Sequence, residues 1–446
     1  MSKNIFVVGL DEENLSVLRR VPGAEDYRFH QLLTVEDLQE DTVSVPALIA
    51  RAERQLDEFD GEIDAIVGYW DFPSTLMVPI LCERHGLRSA PMEAVVKCEH
   101  KYWSRLIQRS AIDEHPAFGL LDLEDDDPVL PSGMSYPVWI KPIESYSSEG
   151  AHYIDGEERL REALESERET VDRLSGPFRA LLDRFDFPEE IVSVTDRMCL
   201  VEEAATGYQM TVEGFCKDGE AVTYGVVDSI TYEQAPSFLR YQYPATRIDQ
   251  ATQDHMCDVA RRVMVAVGLD NSTFNIEFFW DPDTETLALL EINARHSQSH
   301  ALMFEHVDGV ANHAYMLDLA LGRRPTPRTG NGRYGVAAKW FVRSFTDGVV
   351  ARTPTDAEIA ACEREIDGVR VHVTVDEGER LSAGFGEDSY SYVLAEIFIG
   401  AADERDLTNK YSRCLDALPF EIDEVSDPET LDTMGPEHDT DEQGHA

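Results

Sequence analysis

The sequence predicts a chain of mixed architecture, α/β plus α+β, folded as several domains. Three observations carry this. Over residues 1–95, strand-like apolar runs alternate with helix-like stretches, the pattern of a parallel α/β unit. Two strand-length apolar runs around the turn Asp281-Pro282-Asp283 read as an antiparallel hairpin within Asn275–His300. A further set of strands and a helix follows a Pro/Gly-rich linker at 323–332. With 446 residues the chain has room for two or three cores.

Taken in order, KNIFVVG (3–9) reads as a buried strand. Helix-like stretches follow near 11–20 and 44–58. IDAIVG (63–68) is a second strand, ending at Tyr69-Trp70-Asp71, and Ser74 to His85 a helix. No G-x-G-x-x-G follows the first strand, so no dinucleotide site is assigned. Residues 93–110 have helical spacing, and 136–141 form a strand ending at Lys141. The hydroxyl-rich turn ESYSSEG (144–150) and a short strand to Ile154 come next, then a long charged helix or helix pair over 156–184. Residues 199–215 read as strand, bend and strand, with Gly207 allowing the bend. A loop with aromatics and Arg240 is expected at 236–244, and helices at 251–268 and 308–322. Strands are expected near 336–343, 369–374 and 391–399, and a helix at 404–416. The acidic end, 421–446, is poor in apolar residues and reads as disordered.

The hairpin carries the chemistry. Glu291 and Asn293 are two apart on one strand, so they share a face. If the register sets Glu277 opposite, two carboxylates and an amide oxygen meet in an apolar setting. That is costly unless a cation neutralises them. A hard divalent ion with oxygen ligands, Mg²⁺ on nucleotide phosphates above all, does so. Two half-exposed acids on an ordinary hairpin give the same pattern. Lys141, at a strand end before a turn of small residues, suits a phosphate grip, because lysine supplies point charge and such a turn can aim N–H groups at oxygens. An edge strand followed by a surface turn reads alike. The bend over Ala204-Ala205 offers backbone groups that an adenine edge can use, as does any tight hairpin.

The balance of 86 acids against 39 bases gives a net charge of −47, with only seven lysines. Such a surface resembles that of proteins from salt-accumulating halophiles, where high salt screens self-repulsion. It argues against nucleic acid or anionic membranes as partners. No apolar run approaches 18 residues and no leader is recognised, which predicts a cytoplasmic protein. Seven dispersed cysteines without a C-x-x-C pair suit a reducing compartment and no zinc site.

In this order the segments resemble the ATP-grasp superfamily. The resemblance implies a pre-ATP-grasp domain at 1–95, a two-lobed core at 96–328, a C-terminal α+β domain at 329–420 and the tail. Its strongest motif is E-x-N-x-R, here Glu291, Asn293 and Arg295, with Glu277 upstream. The family likeness implies that these acids and the amide hold Mg²⁺ (or Mn²⁺) against ATP, and that Arg295 contacts the reacting phosphoryl or acyl phosphate. It implies phosphate contacts for Lys101 and Lys141. The loop Lys141-Pro-x-x-x-x-Ser147-Ser148-x-Gly150 has the spacing of D-alanine–D-alanine ligases rather than the glycine-rich carboxylase type, with Glu149 a departure. Val201 to Phe215 resembles the hinge of the L-amino acid and carboxylate–amine ligase branch, which implies Glu202, Glu203 and Ala204 around adenine and Glu213 near ribose or phosphate.

A carboxylate–amine ligase acting through an acyl phosphate is the expected activity, with small-molecule acid and amine substrates and a homodimer as the common assembly. A catalytically silent ATP-binding sensor or partner subunit, and a carboxylase-like enzyme using bicarbonate, are the alternatives. Arg240, Tyr241, His296, Ser297, His300 and the Tyr69-Trp70-Asp71 cluster lie where a substrate site should open, although packing explains each histidine equally well.

Overall fold

A computed structural model of the protein describes residues 2–39, 44–125, 128–143, 151–168, 187–192, 194, 197–233, 235–383 and 391–424. The ESYSSEG stretch with Ser147, Ser148 and Gly150 lies outside them, as do residues 169–184 of the 156–184 stretch and the tail from 425.

The first unit is a parallel sheet in the order Tyr27–Leu32, Lys3–Val8, Ala65–Val67. The outer strand Tyr27–Leu32 was not expected: YRFHQL is polar enough at alternate positions to read as a loop, and only Leu32 is fully buried. The helix Ser74–His85 has its expected bounds and stops at Gly86, whose φ is +65°.

An antiparallel four-stranded sheet follows, in the order Phe118–Asp122, Met198–Glu203, Val138–Pro142, His152–Ile154. Next to it, an antiparallel eight-stranded sheet runs Thr286–Asn293, Ser272–Asp281, Tyr208–Lys217, Glu220–Thr231, Phe238–Tyr243, Val336–Ser344, Tyr392–Ala401, Val369–Val373. Its last three strands come from beyond the linker, so the C-terminal unit extends the sheet. Gly207, at φ +100°, makes the turn into Tyr208–Lys217; a Cβ there would lie 2.2 Å from the Trp280 carbonyl oxygen.

The helix Gln250–Val267 covers one face of the large sheet. Met256, Val259, Ala260, Val263, Met264 and Val267 recur at helical spacing and pack with Phe274, Ile276 and Phe278 of the sheet. Asp249 caps its first turn through the Thr252 N–H at 2.9 Å. The opposite face receives the helices Ala301–Asp308 and His313–Ala320, with Phe304, Val307 and Tyr315 against Phe215, Val227 and Tyr243.

Several expectations are corrected. Residues 93–110 form two helices, Met92–Glu99 and Lys101–Ala111, because His100 breaks the first and caps the second through the Trp103 N–H. Residues 308–322 are not one helix: Ala301–Asp308 stops at Gly309 (φ +75°) and His313–Ala320 follows after 309–312. The aromatic stretch at 236–244 is the strand Phe238–Tyr243, paired on both sides. Glu421–Glu424, placed in the disordered tail, is a strand on Gly348–Arg352.

Candidate active site

The hairpin register sets Glu277 opposite Glu291 and Asn275 opposite Asn293. The core face holds Phe274, Ile276, Phe278, Leu289 and Ile292, all buried. One irregularity makes this possible. Phe278 pairs with Leu289 while Glu277 pairs with Glu291, so Leu290 is the extra residue of a β-bulge. In unbroken alternation Glu291 would share the face of Leu287 and Leu289. The bulge turns it, and Asn293 with it, to the side of Glu277.

Around this pair stand groups from four other segments. Gln209, on the neighbouring strand, donates Nε2 to Glu277 Oε2 at 2.9 Å. Lys101 Nζ lies 3.4 Å from Glu291 Oε1. Asn293 donates Nδ2 to Asn275 Oδ1 at 3.0 Å, which leaves its Oδ1 as the acceptor facing outward. Arg295 donates Nε to Asp71 Oδ1 at 2.6 Å, so the loop after the third parallel strand reaches the site. Glu99, at the end of its helix, adds a further carboxylate.

The electrostatics follow from crowding. Burial, then the charge of Glu291, pushes the Glu277 carboxyl above its ordinary range. Burial and Asp71 push Glu99 up to about 7. Burial acts on Glu291 in the same sense, but the charges of Lys101 and Lys141 outweigh it and hold that carboxyl below the usual range. Two carboxylates, one of them reluctant to ionise, beside an available amide oxygen form an all-oxygen donor set that suits a hard divalent cation. Glu277, Glu291 and Asn293 would hold it.

Lys141 and Glu202 come from adjacent strands of the four-stranded sheet. Lys141 Nζ lies 2.9 Å from Glu202 Oε2, and the Arg105 guanidinium takes the other oxygen. Burial would raise the Glu202 carboxyl, yet Arg105 and Lys141 hold it down to about 2. Its side chain is therefore held by two cations. The Ala204 N–H donates to Pro137 C=O at 3.0 Å, and the Glu203 carboxylate accepts the Ser135 N–H at 3.3 Å. The backbone N–H of Lys101 donates to Ile143 C=O at 3.3 Å, which ties the lysine helix to the end of the strand Val138–Pro142.

Glu213 departs furthest from expectation. It is fully buried, with its oxygens taken by Tyr224 Oη (2.6 Å), His300 Nδ1 (2.7 Å), Asn312 Nδ2 (3.1 Å) and the Ser297 N–H (3.2 Å). It anchors the 297–300 segment rather than a ribose. Arg240 also leaves the site: strand alternation turns it away from Tyr241, to stack 4.4 Å over Trp340 and pair with Glu404 at 2.9 Å. Tyr241 meets His300 edge-on. His296 is buried in a chain of neutral groups, accepting from Thr273 Oγ1 at 3.0 Å and reaching His313 Nδ1 at 2.8 Å. His313 Nε2 in turn lies 2.9 Å from Asn14 Oδ1. Burial lowers both imidazoles.

Residues 134–301 match the family model of the ATP-grasp domain. That stretch is an ATP-grasp domain. Solved structures share its fold nearly end to end. L-amino acid ligase from Bacillus licheniformis superposes with a TM-score of 0.69 at 15% identity, covering 94% of this chain and 99% of that one. The biotin carboxylase domain of the Hydrogenobacter thermophilus 2-oxoglutarate carboxylase, a dimer in complex with MgADP, ADP and bicarbonate, gives 0.68 at 15%, covering 95% and 92%. Phosphoribosylglycinamide synthetase from Anaerococcus prevotii gives 0.65 at 10%, covering 95% and 100%. No curated protein matches in sequence. No helix among the described residues is long and apolar enough to cross a membrane.

Sequence reasoning missed Arg105, Gln209 and Glu99. Arg105 had a signal: it lies one helical turn after Lys101, on the same face. Gln209 and Glu99 had none, since each acts through a neighbour distant in sequence.

Proposed function

We propose that this ATP-grasp protein is an ADP-forming carboxylate–amine ligase. The observation that carries the reading is Glu277 facing Glu291 across the bulged hairpin, ringed by Lys101, Asn293 and Arg295. The fold it shares with an L-amino acid ligase supports it. A substrate carboxylate oxygen attacks the γ-phosphorus of ATP, ADP leaves, and an acyl phosphate forms. An amine nitrogen then attacks the acyl carbon, the C–O bond to phosphate breaks, and the amine gives up a proton. Bound Mg²⁺ or Mn²⁺ would neutralise phosphate charge during this transfer.

The chain's own residues position and neutralise. Lys101 and Lys141 offset charge on the β and γ phosphates once ATP draws them from their carboxylates. Arg295, already oriented by Asp71, presents its remaining N–H groups to the transferring phosphoryl. Residues 144–150, outside the described residues, are the stretch the sequence offers for covering the phosphates and excluding water. A pre-ATP-grasp unit at 1–95, a core at 96–328 and a C-terminal unit at 329–420 complete the proposed organisation, in a halophilic cytoplasm and as a homodimer.

The test is ADP release in molar salt with Mg²⁺ across pools of carboxylates and amines. Turnover that needs one of each, and is lost in Glu291→Ala, supports the ligase. Release driven by bicarbonate points to a carboxylase-like enzyme, and ATP binding without release in any pool to a sensor.

A further inference from the structure

The bulge that aims Glu291 lies on Thr286–Asn293, an edge strand of the eight-stranded sheet. An edge strand presents unpaired carbonyls on its outer side. In a regular strand consecutive carbonyls point to opposite sides, so one outer group reaches only every second one. Here the carbonyls of Leu289 and Leu290 both face the same side chain. Arg105 Nη1 donates to Leu289 O at 2.8 Å and Nη2 to Leu290 O at 2.7 Å. Its Nε holds Glu202, and Nη1 also holds Gln108. The Arg105 side chain is 2% exposed.

From this geometry we infer that Arg105 is the positioning residue of the metal site. It recognises the bulged form of the hairpin and thereby fixes the direction of Glu291. At the same time it seats Glu202, the partner of Lys141. One guanidinium thus couples the phosphate lysine on the four-stranded sheet to the metal carboxylate on the eight-stranded sheet.

The fit is specific to arginine. Its N–H groups leave a rigid plane in a fixed fork, so one side chain can span two successive carbonyls and a carboxylate. An ammonium has three donors on one atom and cannot reach these separated acceptors together. Gln108 fixes the plane from within the helix, and Ser104 Oγ in turn accepts from Gln108 Nε2 at 3.1 Å. Without Arg105 the Leu290 carbonyl loses this donor, and the outer side keeps the Leu289 N–H bond to Glu114 C=O at 2.9 Å. The strand then gains by relaxing to regular pairing, which swings Glu291 toward the core face.

The inference rests on the ligase reading only for the identity of the site served. Its test is Mn²⁺ binding, followed by electron paramagnetic resonance with the non-hydrolysable analogue AMP-PNP, in wild type and Arg105→Lys. Groups that orient metal ligands from outside the coordination sphere typically contribute about 10–100-fold in affinity. A folded Arg105→Lys protein should lose Mn²⁺ affinity in that range. A folded variant with wild-type Mn²⁺ affinity overturns the inference. If Arg105→Lys does not fold, Gln108→Leu decides: it frees the guanidinium plane without changing charge and should weaken Mn²⁺ binding by a smaller factor, and unchanged binding overturns the inference equally. Failure of the wild-type protein to bind Mn²⁺ with AMP-PNP refutes the metal site itself, a different outcome from either.

Discussion

Arg295 and Asp71 are 224 residues apart, yet Nε of the one donates to Oδ1 of the other at 2.6 Å. The contact joins the end of the Glu277–Glu291 hairpin to the loop after the third parallel strand, so the first unit orients a group of the core. Arg295→Ala should lower turnover about 10²–10³-fold, the usual loss for one donor at developing charge, with ATP binding largely kept. Asp71→Asn should fall between it and wild type. Steady-state ADP release beside nucleotide binding checks both, and full turnover in Arg295→Ala refutes its role.

Metal affinity should climb between pH 6 and 8. Ligands bind as carboxylates, and the Glu277 carboxyl is raised, so protons compete with the ion as pH falls. Mn²⁺ titrations at both ends of that range would show it. Glu277→Gln should weaken binding and flatten the dependence; equal affinity at pH 6 and 8 in the wild type removes Glu277 from the ligand set.

Acid should destabilise the fold well above the carboxylate range. Burial lowers His100 and His306 to about 4 and His313 to about 3, and it lowers His296 as well. A histidine lowered in the folded state contributes stability that is complete above its unfolded value near 6.5 and is lost as pH falls toward the folded value. Glu99, raised to about 7, acts in the opposite sense, gaining as pH drops from there toward 4.5. Five imidazoles are lowered, His30 among them, against the raised acids Glu99, Glu277, Asp228 and Asp308 and the raised His372, and the deeply lowered imidazoles dominate between pH 6.5 and 5, so melting temperature should fall over that range. His313→Gln should make that slope shallower, and an unchanged slope would remove the buried pair as its source.

Glu213 should matter more for stability than for turnover. Glu213→Ala leaves Tyr224, His300, Asn312 and the Ser297 N–H facing a void. Buried donors without partners cost about 1–3 kcal/mol each, so urea unfolding should report a loss of roughly 3 kcal/mol or more. A loss below about 1 kcal/mol would mean that the network re-forms around water.

Much of this architecture was legible in the sequence because period and turn chemistry are local. The hairpin strands, the helix from Ser74 and the helix ending at Gly268 follow from spacing and caps alone. The facing of Glu277 and Glu291 was conditional on register, and register here depends on a bulge. Nothing in the residues LALLEIN marks Leu290 as the extra one; the preference comes from Arg105, on a helix 185 positions earlier. Glu213 misled for the reverse reason. It lies on a strand where a ribose contact was plausible, and only the loop packed over it, brought back by the helices after 300, shows that its oxygens are committed. Arg240 beside Tyr241 was a question of which face, which a stretch read as loop could not answer.

The placement of Val336–Ser344 between Phe238–Tyr243 and Tyr392–Ala401 has a consequence for dissection of the chain. A fragment cut in the 323–332 linker would strip Phe238–Tyr243 of its neighbour and leave six aromatic-rich residues as an open hydrogen-bonding template. Such a template pairs with whatever strand is offered, including its own copy. The ATP-grasp core should therefore be sticky and poorly soluble when expressed without its last hundred residues, and the linker, for all its proline and glycine, is a crossing within one sheet and not a border between independent parts.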